Sequence, residues 1–264
     1  MDKGELLSRV PLVFLHGWGT TSKIWQRQAD HFSPAWPVLA PDYLIQGSGH
    51  SFFPTSPFTL KDLADGLYIL CHQSLLPAMH LIGWSLGSMI ALEFTSRFPA
   101  LVASLTIVAG TPQFLSDESF PEGAAKGELR RLRGRLLRDR LLAFSSFYQI
   151  LFTEQEKSQP LMLQVRELLK TEYEISDRAL LEGLDILEEV DLRSILPAIK
   201  VPVLIIHGDS DRVCPAGAAR YLHQQIPHSQ MRIFPDCGHL PFLTREEEFN
   251  QALDNFLKPP KSGS

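Results

Sequence analysis

The sequence predicts an α/β fold: a mostly parallel sheet flanked by helices, with a helical cap insertion. Two observations support this. Short apolar, β-branched runs alternate with longer segments of helical periodicity, which is typical of parallel strands joined by helices. The strand segments are predominantly apolar, as expected where both faces of a sheet are buried. The alternation stops between about Thr111 and Pro197, where we find helical patterns and no convincing strand.

Six strands are predicted, each from a short apolar run. They are Leu12–His16, Val38–Pro41, His80–Trp84, Leu105–Ala109, Val203–His207 and Met231–Phe234. Helices between and after them follow from a period of 3.6 residues. They are predicted at Leu60–Leu75, Ser88–Arg97, Ala216–Gln225 and Glu246–Leu257. The stretch without strands contains three further helical patterns. These lie at Gly127–Phe147, Glu154–Tyr173 and Asp177–Glu189.

The helical stretch begins after one strand and ends before another, so we interpret it as an insertion. The predicted division is a core of α/β type at 1–111 and 198–258, a cap at 112–197 and a disordered tail at 259–264. Ligands of open α/β sheets bind at the carboxyl ends of the strands. The cap is therefore expected to cover a site at that edge of the sheet.

The composition excludes several classes of function. The 264 residues are 44% hydrophobic and carry a net charge of -5, which argues against general nucleic-acid binding. No apolar run reaches the roughly 18 residues of a membrane-spanning helix. The start of the chain lacks the pattern of a signal peptide. The three cysteines, Cys71, Cys214 and Cys237, fit neither a disulfide framework nor a zinc site. We expect a cytoplasmic monomer without membrane association.

The charge is distributed unevenly along the chain. The segment Lys126–Arg140 has seven basic and two acidic residues, a net charge of +5, whereas the other 249 residues sum to -10. One interpretation is a solvated helix face. The other is a surface for an acidic partner, which basic side chains attract and pair with. Nucleic acid is not expected, because neither interleaved aromatic residues nor a binding motif accompanies the segment.

The strongest motif is Gly83–Gly87, which fits G-x-S-x-G between a predicted strand and a predicted helix. The strand turns sharply into the helix there, so residues two before and two after the serine must be small. This turn lifts the serine hydroxyl clear of the sheet. It also points the free main-chain N–H groups at the start of the helix toward the negative charge that develops on the substrate during the reaction. The motif predicts Ser85 as a catalytic nucleophile.

A serine hydroxyl needs an adjacent base, and an acid must orient that base. The chain order that accompanies this motif is serine, acid, histidine. His239, in the loop after the last strand, fits the base, whereas His207 at a strand end is interpreted as structural. Asp209 and Asp211 are both open as the acid. Asp211 is favoured because it lies deeper in its loop, while Asp209 is expected to cap the turn.

Acyl transfer also needs two preorganised N–H donors for the oxyanion. The amide of Leu86, directly after the nucleophile, is expected to be one. The loop His16–Gly19 follows an early strand, and its Gly17 permits a tight turn. We predict the amide of Trp18 as the second donor.

These residues resemble the α/β-hydrolase superfamily over the whole chain, and more narrowly the pimeloyl-[acyl-carrier protein] methyl ester carboxylesterases of biotin synthesis. The resemblance rests on His16–Gly19, Trp25, Gly83–Gly87, Val108–Ala109 with Thr111–Pro112 and Phe114, Leu184–Leu187 and Val190–Arg193. It implies Ser85, Asp211 and His239 as a triad, with Trp18 and Leu86 as oxyanion donors. No metal or organic cofactor is needed for this chemistry.

The resemblance also implies contacts within the cap. Substrate contacts are expected from Leu141, Phe144 and Ser145, and a carrier protein is expected to dock through basic side chains. The candidates for docking are Arg130, Arg133, Arg138, Arg140, Arg166 and Lys170. The chain departs from the family at two places. Its loop 42–51 is two residues longer, and Leu141 and Ser145 stand where the family has an aromatic residue and a glutamine.

The sequence therefore predicts a serine carboxylesterase that acts through an acyl-enzyme. The preferred substrate would be the methyl ester of a pimeloyl group on acyl carrier protein. The alternatives within enzymes are a lactonase, a C–C bond hydrolase or a generalist short-chain esterase. An alternative of another class is a ligand receptor that keeps a slow triad.

Overall fold

A computed structural model describes residues 9–44, 52, 54, 57–170 and 174–258 of the chain. The predicted tail 259–264 and residues 45–51 of the longer loop lie outside this range. Within the described residues, the centre is a parallel sheet of six strands. They are β1 (Leu12–Leu15), β2 (Val38–Leu39), β3 (Met79–Trp84), β4 (Val102–Val108), β5 (Val203–Gly208) and β6 (Gln230–Phe234). Their order is β2-β1-β3-β4-β5-β6, and each neighbouring pair is parallel.

Helices connect the strands and form the insertion. Those around the sheet are α1 (Gln26–Phe32), α2 (Leu60–Gln73), α3 (Leu86–Arg97), α9 (Ala216–Gln225), α10 (Pro241–Thr244) and α11 (Glu246–Leu257). Between β4 and β5 lie α4 (Lys126–Leu136), α5 (Arg140–Ile150), α6 (Glu154–Lys157), α7 (Met162–Leu168) and α8 (Asp177–Glu189). Short 3₁₀ helices occur at Ser22–Trp25, Pro99–Leu101 and Arg193–Ala198. We call α4 to α8 the cap helices.

The central strands are buried, which explains their predominantly apolar sequences. Every residue of β1 and β5 is buried, whereas β6 at the sheet edge has only one buried residue. Burying a side chain such as Leu or Ile contributes roughly 1.5–3 kcal/mol. The predicted fold class, a mostly parallel sheet between helices, is confirmed. The predicted division into core and cap is compatible with this chain order and stays a prediction.

Of the three helical segments expected in the cap, Asp177–Glu189 is one continuous helix with the predicted bounds, whereas the other two are each divided in two. Gly127–Phe147 contains the end of α4 and the start of α5, where the Asp139 side chain accepts a hydrogen bond from the Leu142 N–H at 2.9 Å and so caps α5. Glu154–Tyr173, whose residues 171–173 lie outside the described range, is interrupted between α6 and α7. Pro160, which has no N–H to continue a helix, lies in the break. Continuous helices over these segments were the wrong expectation.

The topology brings distant parts of the sequence to one edge of the sheet. Because all strands are parallel, the segments that follow β1, β3, β5 and β6 leave from the same edge. These segments carry Trp18, Ser85, Asp211 and His239 in that order. Among the described residues, no helix is long and apolar enough to cross a membrane.

Candidate active site

Ser85 lies at the junction of β3 and α3 in a strained conformation. Its φ of 55° and ψ of -120° are values that residues with a side chain rarely adopt. Such strain costs on the order of 1–3 kcal/mol and persists only where neighbouring structure enforces it. Here the Ser85 N–H donates to the Val108 carbonyl of β4 at 3.0 Å, which anchors the turn to the sheet.

The glycines on either side of the serine have a steric cause. A Cβ atom on Gly83 would collide with the main chain of Gly87, and one on Gly87 would collide with the carbonyl oxygens of Leu15 and His16. Both obstacles are main-chain atoms that no rotamer change can move. The strand-to-helix turn is therefore possible only with glycine at these two positions.

His239 and Asp211 form a buried pair. His239 Nδ1 lies 2.7 Å from Asp211 Oδ2, and both side chains are inaccessible to solvent. A carboxylate only accepts, so Nδ1 carries the proton, and Nε2 is the nitrogen left with its lone pair. That Nε2 has no hydrogen-bond partner among the described residues. The Trp84 indole donates to the His239 carbonyl at 2.8 Å and so ties this loop to the residue before Ser85.

The environment keeps Asp211 ionised. Burial by itself raises the pKa of this carboxyl. The attraction of His239 and hydrogen bonds from His207 and His239 lower the pKa by a larger amount, so it lies below its usual range. Its Oδ1 also accepts from the N–H groups of Val213 and Cys214, at 2.8 and 2.9 Å. A carboxylate held in this way can orient His239 and stabilise its protonated form.

Asp209, the other acid left open by the sequence, has a different environment. Its side chain is exposed and accepts hydrogen bonds from the N–H of Asp236 and the hydroxyl of Ser210, both at 2.8 Å. It therefore closes the turn that leads to the histidine loop. The geometry favours Asp211 as the partner of His239.

The loop after β1 contacts the serine directly. A Cβ atom on Gly17 would lie 3.2 Å from the Ser85 Cβ and 2.8 Å from the Trp84 ring, so only a residue without a side chain permits this approach. Within the described range, the main-chain N–H groups of Trp18 and Leu86 have no acceptor. Both amides are thus free to bind an oxyanion.

His16, at the start of this loop, is held by contacts that fix the loop in place. Its buried ring stacks on Tyr43 with 4.0 Å between ring centroids, and its Nδ1 donates to the Gly17 carbonyl at 2.9 Å. The Tyr43 hydroxyl donates to the His16 carbonyl. Burial lowers the pKa of His16 to about 4, although Asp42 acts in the opposite direction. The ring is therefore neutral at pH 7.

The cap reaches the same loop through Trp18. The Trp18 indole donates to the Leu180 carbonyl of α8 at 2.8 Å. Its ring stacks on Phe144 and contacts Phe147 edge-on, with centroid distances of 5.9 and 5.2 Å. A Cβ atom on Gly183 would lie 2.8 Å from the same ring. Phe144, one of the expected substrate contacts, thus packs on the predicted oxyanion loop.

The other two expected substrate contacts lie on the outer side of α5. Leu141 and Ser145 line a surface groove of about 420 Å³. The groove also contains Arg166 and Lys170, which were expected to contact a carrier protein. The structure therefore brings these expected acyl contacts together with two docking candidates, and Ser85 is not part of the groove lining.

The remaining docking candidates fall into two groups. Arg133 pairs with Asp185 and Glu188 of α8 at 2.8 and 2.9 Å, and Arg140 pairs with Asp177. Arg130 and Arg138 are exposed and have no ion-pair partner within the described residues. Only the second group is free to meet an external acid.

A cavity that the sequence did not predict lies between α4, α5 and the Asp211 loop. Its volume is about 340 Å³. Its lining includes the apolar Phe114, Leu129 and Val213 and the charged Glu128, Arg131, Arg135 and Arg212. Val213 is the residue whose amide binds Asp211. The cavity therefore adjoins the loop that holds Asp211, although Ser85, Asp211 and His239 are not among its lining residues.

A sequence profile of the α/β hydrolase fold family matches residues 10–246. The chain belongs to this family. It is 31% identical to the pimeloyl-[acyl-carrier protein] methyl ester esterase of Chromobacterium violaceum, with 96% of this chain and 97% of that protein covered. It is 30% identical to the protein of that name from Nitrosomonas europaea, with 92% and 94% covered. The prediction of a hydrolytic enzyme of this superfamily is confirmed.

Among solved structures, an esterase from Exiguobacterium antarcticum superimposes with a TM-score of 0.87 at 27% identity. The match covers 96% of this chain and 93% of that one. The high score over nearly the whole chain shows that the helices between β4 and β5 are part of the shared architecture.

Proposed function

We propose that this hydrolase is a serine carboxylesterase that cleaves the methyl ester of a pimeloyl group carried by acyl carrier protein. The observation that carries the proposal is the buried Asp211–His239 pair, whose Nε2 is free and whose loop is tied to the residue before Ser85. The names of the relatives, each matched over more than nine-tenths of its length, support this substrate.

In the proposed mechanism, His239 Nε2 takes the proton of the Ser85 hydroxyl as its oxygen attacks the ester carbonyl. The amides of Trp18 and Leu86 bind the resulting oxyanion; one such donor is worth about 10²–10³-fold in rate. His239 then gives its proton to the departing methoxide, and methanol and an acyl-enzyme remain. A water molecule then attacks the acyl-enzyme carbonyl while His239 takes its proton. The bond to Ser85 breaks, the acid is released, and His239 returns the proton to the Ser85 oxygen.

The surroundings of the pair suit an apolar chain with a charged carrier. The 340 Å³ cavity beside the Asp211 loop is lined by apolar side chains together with three arginines and Glu128. The exposed Arg130 and Arg138 carry positive charge on the same cap. Acidic partners are attracted to such surfaces over distances of about a Debye length.

The first test is hydrolysis of the carrier-bound methyl ester and of a short p-nitrophenyl ester. We expect wild type to cleave both and Ser85→Ala to cleave neither above background. Binding of the ester without Ser85-dependent turnover would support a receptor instead. Turnover of lactones or C–C substrates in preference to both esters would reassign the reaction.

The second test is growth of a biotin-requiring strain that lacks its own esterase. We expect the wild-type gene to restore growth without biotin, and Ser85→Ala and His239→Ala to fail. Failure of the wild type, together with good activity on p-nitrophenyl esters, would retain the esterase and reject the biotin-pathway substrate.

A further inference from the structure

A second histidine contacts the carboxylate of the pair. His207, near the end of β5, has a fully buried ring whose Nε2 lies 3.3 Å from Asp211 Oδ2. This is the same oxygen that accepts from His239 Nδ1 at 2.7 Å. His207 Nε2 also lies 2.8 Å from the carbonyl oxygen of Cys214. From the sequence, only a structural role is expected of this residue.

The two neighbours fix the proton on His207. A carbonyl and a carboxylate both accept, so Nε2 must carry a hydrogen. The Cys214 carbonyl accepts this hydrogen, and Asp211 Oδ2 lies 3.3 Å from the same nitrogen. The other nitrogen, Nδ1, is buried and has no partner in the described part of the chain. A second proton there would be buried without an acceptor, which is costly. A neutral ring with its hydrogen on Nε2 satisfies every contact.

We propose that His207 is a positioning residue for Asp211. Its Nε2–H draws Oδ2 from one side while His239 Nδ1–H approaches the same atom from another. The Val213 and Cys214 amides hold Oδ1. The carboxylate therefore cannot rotate away from His239, and part of its negative charge is shared with a neutral donor. The inference rests on the proposed roles of Ser85, His239 and Asp211.

The other titratable groups around the pair do not differ between the variants below. They are the Cys214 thiol beside Asp211, the Cys237 thiol and Glu156 carboxylate beside the histidine loop, and the exposed Arg212. Burial raises the pKa of both thiols well above their ordinary value, so they stay neutral near pH 7. A changed pH profile therefore reports on His207 itself.

Three substitutions separate the donor from the bulk of the ring. In His207→Gln the amide nitrogen is as many bonds from Cβ as Nε2, so the donor is kept without a titratable ring. In His207→Asn the amide nitrogen corresponds to Nδ1 and points short of Asp211. His207→Leu has no donor. We expect kcat/KM on a p-nitrophenyl ester to stay within about threefold of wild type for Gln, and to fall about 10-fold or more for Asn and Leu.

The pH dependence supplies a readout that a merely structural role would not move. Without the His207 donor, the Asp211 charge is less shared and stabilises protonated His239 more strongly. The acidic limb of the pH profile of kcat/KM should therefore shift to higher pH, by about half a unit or more, in His207→Leu and His207→Asn. It should not shift in His207→Gln. The proposal would be overturned if all three variants had equal activity and an unshifted acidic limb in their pH profiles. Equal impairment of Gln and Leu would also overturn it.

A further measurement does not depend on turnover. In protein with ¹⁵N-labelled histidine, the Nδ1–H of His239 should give a far-downfield proton signal that disappears in His239→Gln. This signal should move in His207→Leu and stay near its wild-type position in His207→Gln. An unmoved signal in the Leu variant would reject the positioning role even if the protein has no esterase activity. Loss of Ser85-dependent turnover in wild type would instead reject the proposed function.

Discussion

The buried carboxylate of Glu156 accepts the main-chain N–H of Gly238, at 3.1 and 3.2 Å to its two oxygens. The next N–H, that of His239, donates to the Leu151 carbonyl at 2.8 Å. Leu151 follows α5 and Glu156 belongs to α6, so the cap binds two successive amides of the histidine loop. The cap therefore helps to hold the loop that carries the proposed base.

We expect Glu156→Ala to weaken both folding and catalysis. The variant would leave the N–H groups of Gly238 and Thr153 without an acceptor, since the carboxylate also bonds Thr153 at 2.7 Å. Buried donors without a partner cost about 1–3 kcal/mol each. The free energy of unfolding in urea should fall by at least that amount. The kcat on a p-nitrophenyl ester should fall as well, because His239 loses its support.

Glu154→Ala is the matched control for this experiment. Glu154 lies on the same helix, but it is exposed and pairs with Lys157 at the surface. Surface ion pairs contribute about 0–1 kcal/mol. Its substitution should leave kcat unchanged. If Glu156→Ala has wild-type kcat after correction for its folded fraction, the cap does not support the histidine.

The strain at Ser85 predicts an opposition between stability and activity. Glycine tolerates a φ of 55° without the cost that a side chain incurs there. Ser85→Gly should therefore raise the free energy of unfolding by about 1 kcal/mol while it abolishes ester hydrolysis. Ser85→Ala keeps the Cβ atom, so it should be equally inactive without the gain. Equal stability of the two variants would show that the turn is unstrained.

The fold and the nucleophile turn were predictable because their causes are local. Apolar runs mark buried strands, and the requirement for glycine at 83 and 87 is visible in five consecutive residues. The break between α4 and α5 also had a local signal, since Asp139 is a favoured helix N-cap. Pro160 is a second such signal, whereas the apolar periodicity by itself predicts neither break.

The supports of the site were not predictable, because their partners are far apart in the sequence. Trp18 is hydrogen-bonded to Leu180 of the cap, which is 162 residues away in the sequence. Gly238 is hydrogen-bonded to Glu156, which is 82 residues away. Nothing near either residue indicates its partner. His207 contacts an acid only four residues away, yet that contact depends on how the loop after β5 turns. Only the tertiary structure distinguishes a positioning histidine from a packing one.

Two exposed arginines of the cap, Arg130 and Arg138, give a prediction about the carrier. Arg130→Glu with Arg138→Glu should raise KM for the carrier-bound ester about 10-fold or more at low salt, and less at high salt. The kcat/KM for a p-nitrophenyl ester should not change, because that substrate has no carrier. Arg220→Glu, an exposed position on α9, is the control for charge reversal. An unchanged KM for the double variant would remove these two residues from the docking surface.

The buried His16 makes stability depend on pH over a defined window. Its pKa is lowered by burial from 6.5 to about 4 in the folded protein. Between these values the unfolded chain binds a proton that the folded one does not, so stability rises with pH and is lost as pH falls from 6.5 toward 4. Across the whole window the free energy of unfolding falls by about 3 kcal/mol as the pH is lowered. The carboxyl of Asp211, whose pKa is lowered from 3.8, titrates below this window.

Urea denaturation between pH 4 and pH 7 measures this dependence. In His16→Asn the amide can still donate to the Gly17 carbonyl, but it does not titrate. The free energy of unfolding should therefore fall less steeply toward low pH in this variant than in wild type. His31→Asn, at the partly exposed end of α1, controls for the removal of a histidine. Parallel curves for wild type and His16→Asn would mean that folding does not lower the pKa of His16.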